Sequence, residues 1–154
     1  MTRFIRLPVL FAVLFAVLSF AVTPARAGDA YTPKPGSPER KAICDAMRPA
    51  TIKHASKPLP KPIVFKVDFM KVEGDFAGFA GIPAFADGSA VEGYLPDAAY
   101  FMILQRIDGK WRVVVEDIRG DVPSDAEVAA FRRKLPAGTP EGVLPTSWRR
   151  TAGQ

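Results

Sequence analysis

The fold is decided by residues 100–118, whose sequence is YFMILQRIDGKWRVVVEDI. Two apolar runs, rich in β-branched and aromatic residues, flank the dipeptide Asp108-Gly109. A type I′ turn requires positive φ at both central residues, and Asp-Gly is one of the pairs that adopt it readily. We therefore predict an antiparallel hairpin with strands over Tyr100–Ile107 and Trp111–Ile118.

This turn also predicts which residues face each other. It pairs Ile107 with Lys110, and an uninterrupted register leads to Phe101 opposite Glu116. Both faces are then apolar far from the turn, whereas an antiparallel sheet with one solvated face alternates apolar and polar residues. The second face requires a cover, which is a sheet curled over the first helix, a ligand in a pocket or a partner subunit. The residues predicted to form this binding face are Phe101, Ile103, Val114 and Ile118.

A second hairpin is predicted upstream. Apolar residues recur at every second position from Ile63 to Phe69, and a glycine-containing turn leads into a second strand over Phe76–Phe85. Gly78 and Gly81 lie within that strand, where glycine permits a bend or the close approach of another group. We expect this strand to be curved, and we place Asp68 opposite Gly81.

Helices are predicted before and after the four strands. Ser37 is suited to cap the first helix, and Pro38 fits its first position. Ser124 and Glu127 have the spacing of a capping box, which starts a short second helix. These elements predict an α+β fold: an N-terminal helix packed on a curved four-stranded antiparallel sheet, with a short C-terminal helix.

The chain begins with the pattern of a secretory signal peptide. Arg3 and Arg6 precede an apolar run over Leu7–Val22, and Ala25-Arg26-Ala27 has the small residues of a cleavage site. We predict cleavage after Ala27 and a periplasmic or secreted protein. The alternative is an uncleaved anchor, although the run is shorter than a typical membrane span.

The sequence divides into four parts. The signal peptide covers 1–27, a flexible lead-in 28–36, one α+β domain 37–135, and a Pro- and Gly-containing tail 136–154, in which Trp148 is expected to return to the domain. Three of the 21 basic residues lie in the leader, which leaves 18 against 16 acids and a net charge of +2. These charges are scattered, so we expect no nucleic-acid partner.

The counts of cysteine and histidine exclude several kinds of structural and metal site. One Cys and one His exclude an internal disulfide framework and make a zinc site of the CxxC type impossible. Cys44 shares a helical face with Ile43 and Met47, which predicts burial. The alternative is a disulfide to another molecule. His54 lies between two lysines in a polar connector, and we expect it at the surface with no metal. No cofactor motif is present.

Three residues are candidates for catalysis. Glu116, opposite Phe101 in the predicted register, would lie in an apolar setting that raises a carboxyl pKa and suits a general acid or base. Asp68 and Tyr100 are the other two. The alternative interpretation is that these are solvated side chains near strand ends, and no catalytic machinery is evident.

Several segments resemble known architectures. The stretches GSPERKAICDAMRPA (36–50), PIVFKVDFMKVEGDFA (62–77) and RIDGKWRVV (106–114) resemble a group of small uncharacterised exported bacterial proteins. The order of elements is similar to the nuclear-transport-factor-2-like and cystatin-like α+β architectures. This resemblance spans about 36–118. It implies the fold and carries over no catalytic residue, since such folds serve enzymes and binding modules alike.

The function expected from the sequence is that of an exported binding or protein-interaction module. Its partner would be an envelope protein, a small apolar ligand or a second copy of the chain across a sheet face. One alternative is a small cavity enzyme of lyase or isomerase type that uses the sheet carboxylates. Another is an envelope accessory subunit. An enclosed pocket with converging carboxylates would favour the enzyme.

Overall fold

A computed structural model describes residues 29–149, so the predicted leader over 1–27 lies outside the described residues. Four strands form one antiparallel sheet in the order β1-β2-β3-β4, which confirms the predicted α+β class. Within 29–149 no helix has the length and apolar character needed to cross a membrane. The elements are α1 (Pro38–Ile52), β1 (Ile63–Glu73), β2 (Phe76–Phe85), β3 (Ala99–Ile107), β4 (Lys110–Arg119), α2 (Asp125–Arg132) and two 3₁₀ turns (Glu141–Val143 and Thr146–Trp148).

Both helices begin where their caps predict. The Ser37 hydroxyl accepts a hydrogen bond from the backbone N–H of Arg40 at 3.2 Å, and the capping box of Ser124 and Glu127 is formed. In α1 the helix continues past Pro49 to Ile52. A proline inside a helix removes one backbone hydrogen bond, and fully buried side chains on both sides of it hold this turn against the sheet.

The β3–β4 turn is the predicted one. Asp108 and Gly109 have φ of 51° and 73°, as a type I′ turn requires. The predicted register holds from Ile107 opposite Lys110 as far as Leu104 opposite Val113.

Beyond that point the predicted register is wrong by one residue. Ile103 pairs with Val115, so Val114 is the extra residue of a β-bulge. Glu116 consequently lies opposite Met102 and not opposite Phe101. Because side chains alternate between faces, every later residue of β4 changes face relative to the prediction.

A second bulge lies in β1. Val67 pairs with Gly81 and Phe69 with Ala80, which leaves Asp68 as the extra residue. The prediction that Asp68 lies directly opposite Gly81 is therefore wrong. The bulge bends β1 at the position where its neighbour β2 stops pairing with β3.

The two faces of the sheet have different covers. The helix face packs against α1, chiefly Ile43 and Met47, and the residues it buries are Met70, Val72, Ala77, Phe79, Tyr100, Met102, Leu104 and Trp111. The opposite face, which we call the C-terminal face, packs against residues 124–149, the C-terminal segment. Its buried cluster is Ile103, Val115, Phe131, Val143, Leu144 and Trp148. The chain itself thus supplies much of the cover that the second apolar face was predicted to require.

Gly78 allows the C-terminal segment to pack this closely. A Cβ atom at this position would collide with the backbone carbonyl of Val143 in the first 3₁₀ turn. The glycine was expected to permit a close approach, and the approaching group is this carbonyl. The sheet and the C-terminal segment therefore meet backbone to backbone.

Candidate functional site

The C-terminal segment leaves one part of the C-terminal face open, and a cleft lies there. Its volume is about 470 Å³. The walls come from the sheet, from the loop after β4 and from the second 3₁₀ turn. Residues lining it include Asp68, Phe69, Ala80, Ala99, Phe101, Arg119, Asp121, Val122, Pro145, Ser147 and Trp148.

Strand pairing builds the floor of the cleft. Phe69 of β1 pairs with Ala80 of β2, and Ala80 pairs with Phe101 of β3, so the three side chains form one row on one face. The middle residue is the smallest, and the two aromatic rings stand on either side of it. This arrangement gives the cleft its depth.

Trp148, in the second 3₁₀ turn, forms one wall of the cleft. Its ring stacks on Phe101 with the centroids 4.6 Å apart and the planes at 29°. It also meets Phe131 of α2 edge to face at 5.0 Å. Geometries of this kind add to the free energy gained by burying the rings.

Arg132 holds the backbone of Trp148 in place. Its guanidinium donates a hydrogen bond to the backbone carbonyl of Trp148 and forms an ion pair with Glu141. Only 14% of the Arg132 side chain is exposed. The sequence pattern of α2 gives no signal for this role.

The outer lip of the cleft carries an exposed apolar side chain. Val122 is 90% exposed and lies in the loop that joins β4 to α2. A single exposed apolar residue is normal at a protein surface. This one, however, stands beside a cleft whose floor is aromatic.

The charged groups of the cleft are unequally paired. Arg119 bonds Asp117 through Nε at 2.5 Å and also pairs with Glu127, and these partners raise the pKa of its guanidinium. The carboxylates of Asp68 and Asp121 have no hydrogen-bond or ion-pair partner among residues 29–149. The unpaired charge of the cleft is therefore negative.

The structure distributes the predicted binding residues over several environments. Phe101 lines the cleft, while Ile103 is 3% exposed and belongs to the core beneath the C-terminal segment. Val114 is the bulge residue, and Ile118 packs on the helix face. The prediction that all four share one face is wrong, because beyond Val113 the bulge moves each β4 side chain to the face opposite the predicted one.

The three catalytic candidates do not converge. Asp68 opens into the cleft, whereas Tyr100 and Glu116 lie on the helix face, on the other side of the sheet. Tyr100 is fully buried, and desolvation raises the pKa of its phenol to about 12. The arrangement expected for an acid–base site built from all three is absent.

Glu116 has partners that the sequence did not suggest. It forms an ion pair with Lys53, and the Nε2 atom of His54 lies 3.4 Å from its carboxylate. Both partners follow the end of α1. His54 was expected at the surface; 31% of its side chain is exposed, while its Nε2 atom is buried. The contact between His54 and Glu116 depends on the register of β4, which the sequence pattern predicted wrongly.

Several buried polar atoms of the described residues lack a hydrogen-bond partner. The Thr51 hydroxyl, the Tyr100 hydroxyl, Nε2 of His54 and one oxygen of Glu116 are buried without a hydrogen-bond partner among the described residues. Across 29–149, no three His, Cys, Asp or Glu side chains are grouped so that they could hold a metal ion.

Comparison with models of known protein families, with curated proteins and with solved structures finds no match. The likeness to the nuclear-transport-factor-2-like and cystatin-like architectures and to small exported bacterial proteins therefore stays a prediction. The candidate site rests on the geometry of the cleft.

Proposed function

We propose that this protein is an exported binding module whose cleft on the C-terminal face takes an apolar ligand. The observation that carries the proposal is the cleft itself, about 470 Å³ in volume and floored by Phe69, Ala80 and Phe101. Sites for small molecules are typically concave, largely apolar and a few hundred Å³ in size. A few polar groups at the edge orient the ligand in such sites.

A binding role agrees better with this geometry than catalysis does. Acid–base chemistry needs at least one titratable group within hydrogen-bond reach of the reacting atoms and a second group to orient or complement it. In the cleft, Arg119 is held by two carboxylates, and Asp68 has neither Tyr100 nor Glu116 beside it. The groups present can orient a ligand without transferring a proton.

Export is the second part of the proposal. It is supported by the basic start, the apolar run and the small residues before Gly28 in the sequence. We expect protein recovered from the cell envelope to begin at Gly28, as measured by intact mass. A mass that includes residues 1–27 would contradict cleavage and favour an anchored form.

The binding role is tested with octan-1-ol as a neutral apolar probe. We expect saturable changes in the amide NMR signals of Ala80 and Phe101 during titration. In Ala99→Leu the larger side chain occupies part of the cleft, so binding should weaken at least about fivefold, as the loss of one or two methylene contacts would produce. Ala126→Leu, on the exposed surface of α2, is the matched control and should bind octanol as the wild type does.

Two results would contradict the binding role. One is the absence of any saturable change at Ala80 and Phe101. The other is equal binding by Ala99→Leu and the wild type, which would place the octanol outside the cleft.

A further inference from the structure

We infer that the cleft selects ligands that join an apolar body to a positive charge. This inference rests on the proposed function and adds to it the chemical class of the ligand. The evidence for it is the set of charged side chains around the cleft and whether each of them already has an ion-pair partner.

Among residues 29–149 a single cationic side chain lines the cleft, and carboxylates already neutralise it. Arg119 is 17% exposed and contacts both Asp117 and Glu127. Its guanidinium would have to leave one of these carboxylates to bind an anionic ligand. A pair held in this way offers little attraction to a further negative charge.

The carboxylates of the cleft are in the opposite situation. Asp68 is exposed at the β1 bulge, and no ion pair or hydrogen bond engages it within residues 29–149. Bulges commonly redirect a side chain at a binding surface. Asp121, on the lip next to Val122, is also without a partner in the described chain.

Within residues 29–149, the cations that neighbour cleft residues in the sequence do not line the cleft. Lys66, two residues before Asp68, lines a separate and smaller cavity of about 160 Å³ together with Ile82 and Leu95. Arg149, just after Trp148, donates to the carbonyl of Leu144 at 3.0 Å. The cleft therefore combines an aromatic floor with unpaired negative charge.

A cationic amphiphile matches both properties. Its apolar part would lie over Phe69 and Phe101, and its positive group would reach Asp68. A cation near an aromatic ring is also attracted by the negative face of the ring. An anionic amphiphile of the same length would meet the same apolar surface with unfavourable charge.

The test compares three probes that share one alkyl chain: octylammonium, octan-1-ol and octanoate. Each is titrated below its micelle concentration into the full protein, with the amide signals of Ala80 and Phe101 as the readout. We expect octylammonium to bind about fivefold more tightly than octanol, the factor that one exposed ion pair supplies, and octanoate to bind most weakly.

Variants then assign the preference to a residue. Asp68→Asn should reduce octylammonium binding to the level of octanol. Asp75→Asn removes an exposed acid at the β1–β2 turn and should leave the preference unchanged. Added salt should reduce the wild-type preference without altering octanol binding, because screening acts on the charge alone.

The outcomes separate this inference from the proposed function. If octanol and octylammonium bind equally, or if Asp68→Asn keeps the full preference, the ligand class is wrong while the binding role stands. If octanoate binds most tightly, the class is again wrong. If none of the three changes the signals of Ala80 and Phe101, the binding role is wrong as well.

Discussion

Phe101 and Trp148 stack on each other with ring centroids 4.6 Å apart, although one belongs to the third strand and the other lies near the end of the described chain. This contact does two things. It fixes the C-terminal segment on the sheet, and it forms one end of the cleft. The shape of the candidate site therefore depends on how the second 3₁₀ turn packs on the sheet.

We expect Trp148→Ala to lower the free energy of unfolding by about 3 kcal/mol, as removal of a buried aromatic side chain does. Trp148 is 5% exposed and contacts two other rings. Urea denaturation measures the change. Val122→Ala, at a side chain that is 90% exposed, should stay within about 0.5 kcal/mol of the wild type. Equal effects of the two variants would mean that Trp148 does not pack on the sheet in solution.

Gly78→Ala tests the contact between the sheet and the first 3₁₀ turn. The added methyl would collide with the carbonyl of Val143, so the turn must move away. Overpacking of this kind costs about 1–3 kcal/mol, measured by urea denaturation. Gly120→Ala is the control, because a methyl there would meet nothing within 4 Å. A Gly78 variant as stable as the Gly120 variant would show that the segment is not docked here.

Local chemistry allowed much of the fold to be predicted. The turn at Asp108-Gly109 needs two positive φ values, and the caps at Ser37 and Ser124 satisfy backbone N–H groups within three residues. Each of these signals is complete within a few residues of sequence. They established the number of strands, their direction and the start of both helices.

The bulges could not be predicted by the same reasoning. Neither Val114 nor Asp68 is a glycine that would signal a bulge, and an uninterrupted register satisfies the alternation pattern equally well. What selects the bulge is packing on both faces at once: Val115 packs beneath the C-terminal segment, and Ile118 packs towards α1. That information lies in distant parts of the chain.

The residues of the candidate site could be predicted only in part, for the same reason. Phe101 was predicted to bind because its face looked uncovered, and it does line the cleft. Ile118 failed as a prediction because the bulge turned it to the other face. The loop carrying Val122 gives no periodic signal, so its place at the lip of the cleft was not foreseeable.

The stability of α2 should depend on pH through Glu127. Its carboxylate accepts hydrogen bonds from the hydroxyl and backbone N–H of Ser124, at 2.7 Å and 2.9 Å, which lower its pKa from 4.5 to about 2. Since the folded pKa lies below the unfolded one, the stabilisation is complete above pH 4.5 and is lost as the pH falls towards 2.

We therefore expect Glu127→Gln to lower the free energy of unfolding at about pH 7 and to have little effect at about pH 2. Urea denaturation at both pH values measures the difference. Glu92→Gln, at an exposed loop position, should show no such change between the two conditions. An effect of Glu127→Gln that is the same at both pH values would contradict the role of the carboxylate as a cap.

Cys44 should react slowly with thiol reagents. Its side chain is half-buried against the core on α1, and burial raises the pKa of the thiol. Both effects reduce the accessible thiolate, so labelling in the native protein should be at least about tenfold slower than in urea. Labelling at equal rates, or a disulfide-linked dimer on a non-reducing gel, would show that Cys44 faces solvent.

Tyr100→Phe and Tyr31→Phe should change stability in opposite directions. The Tyr100 hydroxyl is buried with no hydrogen-bond partner among the described residues, so its removal should raise the free energy of unfolding by up to about 1 kcal/mol. The Tyr31 hydroxyl donates to Glu39 at 2.6 Å, so its loss should lower that free energy by about 1 kcal/mol. Urea denaturation of both variants gives the two signs. A loss of stability in Tyr100→Phe would contradict the prediction and indicate that an internal water satisfies this hydroxyl.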